Sequence, residues 1–170
     1  YFAPQATPER AHFKNGHASA TPTTDGRYIY AYFGSQGLVA VDMNGKFVWH
    51  TDLGAVNAFH GTACSPLLYQ DLVIIVQDLN GGVGSFVGAF DRETGQERWR
   101  TQRDGRRGWY SPIAIRAGNR DEIIVSGSNE VKAYDPETGQ ELWTVRGNKF
   151  EVTPTPVVGH GLIFCSSGRE

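Results

Sequence analysis

The stretch AFDRETGQERW, Ala89 to Trp99, returns 44 positions later as AYDPETGQELW, Ala133 to Trp143, with three of its eleven letters changed. A shorter copy lies upstream as AVDMNGKFVW, Ala40 to Trp49; it keeps the Ala, Asp, Gly and Trp and is one residue shorter before the glycine. A second marker runs in the same phase. A hydroxyl residue precedes proline at Thr21-Pro22, Ser65-Pro66, Ser111-Pro112 and Thr155-Pro156, at intervals of 44, 46 and 44 residues. Self-similarity with a period of about 40 to 50 residues is the signature of solenoids and propellers.

One period, Gly61 to Gly105, shows what each unit is made of. After Ser65-Pro66 come Leu67 and Leu68, a turn at Tyr69 to Asp71, and the run LVIIV at Leu72 to Val76. A five-residue run of branched apolar residues is too short for a globular helix and suits a strand buried on both faces. SFVGAFD, Ser85 to Asp91, predicts a third strand. In DRETG, Asp91 is placed to bond the amides ahead of it, and Gly95 is expected at positive φ. The chain then reverses into QERWRT, Gln96 to Thr101, where Trp99 alternates with Arg98 and Arg100 as on a half-buried edge strand.

The other units repeat this plan. IIVSG at Ile123 to Gly127 and LIFCS at Leu162 to Ser166 occupy the LVIIV slot, and YIYAYF at Tyr28 to Phe33 is its aromatic counterpart. No segment sustains a helical period, and 21 glycines with 8 prolines punctuate nearly every predicted strand. The prediction is an all-β chain with four antiparallel strands per period, A to D. A four-stranded sheet with two apolar faces must stack on neighbours, which gives a partial β-propeller of three blades plus part of a fourth. The blades are expected at about 18–51, 62–101 and 110–145, with a partial blade at 152–170, all within one domain spanning 1–170.

The pattern A-x-D-x-x-T-G-x-x-x-W resembles the tryptophan-docking motif of the pyrroloquinoline-quinone (PQQ) repeat family. It is complete at Ala89, Asp91, Thr94, Gly95, Trp99 and at Ala133, Asp135, Thr138, Gly139, Trp143; at Ala40, Asp42, Gly45, Trp49 the turn is shortened and the threonine is lost. WD40 propellers fit less well, because the Gly-His and terminal Trp-Asp pairs are missing. The resemblance implies that each tryptophan packs against its own motif and the adjacent blade. It implies an exported protein of the periplasm or cell envelope. The family includes dehydrogenases that bind the quinone with calcium, and non-catalytic proteins such as an outer-membrane β-barrel assembly lipoprotein, so the fold leaves function open.

The family's dehydrogenases carry adjacent cysteines over the quinone, whereas Cys64 and Cys165 lie 101 residues apart in different repeats and read as small apolar core residues. Asp91 and Asp135 sit in a repeated turn, where capping explains them better than catalysis or calcium. The histidines show no metal-ligand spacing. His17 and His60 lie just before A strands, and His160, in a Gly-His-Gly turn between A and B, is expected at the opposite face. In a meander the D-to-A and B-to-C connections share one face. That face is predicted to collect His17, His60, the loop DLNGGVGS at Asp78 to Ser85, and Arg103, Arg106, Arg107, Trp109 and Tyr110 of RDGRRGWY.

Arginines among aromatics form a candidate surface for a protein or a small ligand. The plainer expectation is a solvated basic loop with Trp109 packed at the blade top. A net charge of -2 and a pI near 6.2 give no general attraction to nucleic acid. No apolar run is long enough to span a bilayer. The chain opens at Tyr1 in a connection between repeats and reaches Glu170 partway through the fourth unit, so further blades of the same chain are expected beyond both ends. The leading reading is a non-catalytic binding or assembly scaffold with no cofactor in these residues. The alternatives are part of a quinoprotein dehydrogenase, using PQQ and calcium, and a sensor propeller of a larger protein.

Overall fold

The computed structural model describes residues 12, 13, 15–106 and 108–168. Its strands group into sheets that follow chain order. The first blade comprises β1 (Thr23–Thr24), β2 (Tyr28–Tyr32), β3 (Leu38–Asp42) and β4 (Phe47–Thr51). The second comprises β5 (Leu67–Tyr69), β6 (Leu72–Gln77), β7 (Phe86–Asp91) and β8 (Glu97–Gln102). The third comprises β9 (Ile113–Ala117), β10 (Arg120–Ser126), β11 (Glu130–Tyr134) and β12 (Glu141–Arg146). β13 (Val157–Gly159) and β14 (Leu162–Phe164) form a two-stranded fourth sheet. Each strand pairs antiparallel with its neighbour in sequence. Among the described residues the helical content is one short turn at Gly34–Gln36, so the chain is all-β.

The LVIIV run sits in β6, all six residues of which are buried. Successive side chains in a strand point to opposite faces. Val73 and Ile75 therefore pack with Tyr30, Tyr32 and Trp49 of the first blade, while Leu72, Ile74 and Val76 pack with Ile123, Val125 and Tyr134 of the third. One strand thus serves two cores, which explains a continuous apolar run in place of an alternating one.

The edge strand departs from simple alternation. In all three full blades the register shifts at one equivalent place, where Ala40, Ala89 and Ala133 each face a tryptophan and the next residue pairs two positions away. The extra residues are Val48, Arg98 and Leu142. A bulge of this kind re-aims the side chain that follows it, and that side chain is the tryptophan.

Two further apolar surfaces lie at the fourth sheet and on the first blade. Val157, Val158, Leu162 and Phe164 of the fourth sheet are all exposed. On the outer side of the first blade, Ile29, Ala31, Val39 and Val41 line a groove of ≈ 440 Å³ with His17 at its margin. By the internal repeat, that groove corresponds to the faces of the second and third blades on which the preceding blade lies.

Candidate functional site

The repeated turn is held by its own aspartate. Asp91 Oδ1 accepts bonds from the Glu93 amide at 3.1 Å, the Thr94 amide at 3.0 Å and the Thr94 hydroxyl at 2.9 Å. Asp135 does the same with Glu137 and Thr138. Burial alone would push the Asp91 carboxyl up; the Thr94 hydroxyl and the Thr94 and Glu93 amides outweigh it and hold the group below the usual carboxylate range. Asp42, in the shortened copy, bonds the amides of Asn44 and Lys46.

The turns of the second and third blades each receive the tryptophan of the blade before. Trp49 Nε1–H donates to Arg92 O at 2.9 Å, and Trp99 Nε1–H donates to Pro136 O at 2.8 Å. Two residues on, Thr51 Oγ1–H donates to Gly95 O and Thr101 Oγ1–H to Gly139 O, both at 2.6 Å. Gly95 and Gly139 both have φ of +72°, and a Cβ on either would lie 2.7 Å from Cδ2 of the docked indole. Only glycine meets both demands, left-handed backbone and an aromatic ring where a side chain would start.

Trp143 differs from the other two. It is half-buried, and its indole N–H donates to Glu122 Oε2 of its own blade at 2.7 Å. The fourth sheet contributes no C-to-D turn among the described residues, and Val145 stands where Thr51 and Thr101 stand.

The hydroxyl-proline marker forms a second link, at the A strands. The Thr21 amide donates to Ser65 Oγ and the Ser65 amide to Ser111 Oγ, each at 3.0 Å. Both sequence repeats therefore correspond to bonds between consecutive blades.

The structure separates the residues of the predicted loop face. Arg103 and Tyr110 lie inside the junction between the second and third blades, away from any ligand in solvent. The Arg103 guanidinium donates from Nε to Asp78 Oδ1 at 3.1 Å, from Nη1 to the Tyr134 hydroxyl at 2.6 Å and from Nη2 to the Tyr110 hydroxyl at 3.0 Å. The Tyr110 hydroxyl in turn donates to Asp78. Burial alone would weaken the Arg103 charge; Asp78 outweighs it and holds the guanidinium protonated. Burial pushes the Tyr110 phenol well above its usual value, so it stays a donor. Gly105, Gly108 and Gly127 close on this group, and a Cβ at any of them would fall within 2.9 Å of Asp78 or Arg103.

His60, Trp109 and Arg106 stay on the loop face. The His60 and Trp109 rings meet edge to face at 5.2 Å, and Trp109 Nε1–H donates to Gly61 O at 3.0 Å. A cleft of ≈ 430 Å³ opens beside them, bounded also by His12, Asn15, Glu151 and Thr153. These residues come from the connections entering all four sheets, a convergence that no local spacing could reveal. Arg106 is exposed, and its carbonyl accepts a bond from Ser128 Oγ at 2.5 Å. Arg107 lies outside the described residues. His17 is exposed at the first-blade groove, apart from this cleft, and His160 is exposed in the β13–β14 turn.

Cys64 is buried, with its thiol pushed up to about 12 by burial, and Cys165 is half-buried; both are free. Among the described residues no group of three or more His, Cys, Asp or Glu side chains is placed to hold a metal. No described helix is long and apolar enough to cross a membrane.

A family model described as outer membrane protein assembly factor BamB matches residues 5–170. Among solved structures, BamB from Moraxella catarrhalis superposes with a TM-score of 0.68 at 23% identity, covering 88% of this chain and 43% of that one. A quinohemoprotein alcohol dehydrogenase from Comamonas testosteroni superposes with a TM-score of 0.57 at 20% identity, covering 78% of this chain and 21% of the enzyme. Another from Pseudomonas putida gives 0.54 at 22% identity, covering 75% and 20%. No match was found among curated protein sequences. At these identities the structures establish the fold alone, and the chain spans less than half the length of each. The extent of the family match decides the rest: this chain belongs to the PQQ-like repeat family described as outer membrane protein assembly factor BamB.

Proposed function

We propose that the chain is part of a non-catalytic PQQ-like propeller that acts as a binding or assembly scaffold in the periplasm or cell envelope. The family match to an assembly factor carries this reading. The repeated motif acts as a docking element that joins blades, and binding falls to the loop face around His60 and Trp109. The partner there is a protein, with a small ligand as the lesser reading. The first-blade groove and the exposed fourth sheet take further blades of the same protein.

The quinoprotein dehydrogenases share the fold, so the rival reading is an enzyme fragment. Thermal unfolding with PQQ and calcium added separates the two, because a ligand bound only by the folded state must raise the melting temperature. The scaffold reading expects an unchanged midpoint. A saturable rise of several degrees that needs both PQQ and calcium would overturn it.

A further inference from the structure

The loop-face cleft has a chemistry of its own. Its walls include the Trp109 indole and the His60 ring, both half-buried and accessible. Glu151 is among the residues that line the same cleft. Among the described residues its carboxylate forms no ion pair or side-chain hydrogen bond. Its backbone sits at φ of +63°, uncommon for a residue with a side chain, and its carbonyl accepts a bond from the Gly168 amide at 3.1 Å. Outside glycine such a conformation persists where the surroundings hold it.

A cleft lined by aromatic rings and an unpaired glutamate selects for positive charge. The ring faces attract a cation through their quadrupole, and the carboxylate adds a charge-assisted hydrogen bond. The same carboxylate repels anions. We propose that this cleft receives a basic side chain, arginine or lysine, from a segment of a partner protein. This rests on the scaffold reading above and specifies the chemistry of its partner. Arginine suits the site better than lysine, since its planar guanidinium can stack on the indole while its edge donates to Glu151.

The test is titration of the isotopically labelled chain with blocked Gly-Arg-Gly peptide, followed at the Trp109 indole N–H signal. Blocked Gly-Gln-Gly and spermidine serve as comparison probes. The expected result is a saturable shift with the arginine peptide, no saturable shift with the glutamine peptide, and weaker binding of spermidine. Glu151→Gln should raise the dissociation constant about tenfold with no change in melting temperature. Added salt should weaken binding by the wild type more than by the variant. The proposal is overturned if no probe shifts the signal, if the glutamine peptide binds as well, or if Glu151→Gln binds arginine as tightly as the wild type. Tighter binding of spermidine would overturn the assignment to a protein side chain. These outcomes are separate from the PQQ and calcium measurement, so failure of the arginine assignment is distinguishable from failure of the scaffold reading.

Discussion

Trp99→Ala is expected to lower the free energy of unfolding in urea by about 3 to 5 kcal/mol, the range for a buried aromatic cut back to alanine. Trp99 is 9% exposed and belongs to the core between the second and third blades. Its removal opens a cavity against Leu72 and the Gly139 turn and leaves Pro136 O without its indole donor. Trp143→Ala should cost less, because Trp143 is half-buried and bonded within its own blade. A loss below about 1 kcal/mol at Trp99 would put it with ordinary surface substitutions and end its role as a docking residue.

Arg103→Met should cost about as much, 3 to 5 kcal/mol, for an electrostatic reason. The Arg103 and Asp78 side chains are 3% and 1% exposed. Without the guanidinium, the Asp78 carboxylate stays buried beside Tyr110 with its countercharge gone. Adding Asp78→Leu to Arg103→Met should recover much of the loss, since an apolar pair of similar volume carries no such penalty. Urea unfolding of the single and double variants reads both effects. A single variant of wild-type stability would show that the pair is solvated in solution.

The architecture was legible because the sequence states it several times. Period, strand plan and meander all follow from the recurrence of Ala, Asp, Gly and Trp and from short branched runs such as Leu72 to Val76. What could not be read were partners across the repeat. The letters show that Trp99 and Gly139 recur, but only the fold shows that one sits on the other. The bulge before each tryptophan was hidden for a related reason, since one extra residue in a strand leaves no mark in composition. In RDGRRGWY, charge and glycine content point to a solvated loop, yet Arg103 turns inward because Asp78, 25 residues earlier, follows directly on a buried strand and pairs with it. Glu151 is a single carboxylate far in sequence from Trp109, so nothing in the letters joins the two.

The claim that the repeat joins consecutive blades is tested most directly by Gly139→Ala in two backgrounds. In the wild type the new methyl meets both a left-handed backbone, costing about 1 to 2 kcal/mol, and the Trp99 indole. In Trp99→Ala the ring is gone, leaving the backbone term and the Thr101 hydroxyl, whose Oγ1 lies 2.9 Å from the Cβ position. Gly45→Ala supplies the reference, because its φ of +79° is similar and nothing lies within 4 Å of its Cβ position. Gly139→Ala is expected to cost at least about 1 kcal/mol more in the wild type than in Trp99→Ala, within the range for residues in contact. In Trp99→Ala its cost should fall toward that of Gly45→Ala, with the Thr101 contact as the remaining difference. Equal costs of Gly139→Ala in both backgrounds, to within about 0.5 kcal/mol, would show the two sites to be independent and contradict the docking of one blade's tryptophan on the next blade's turn.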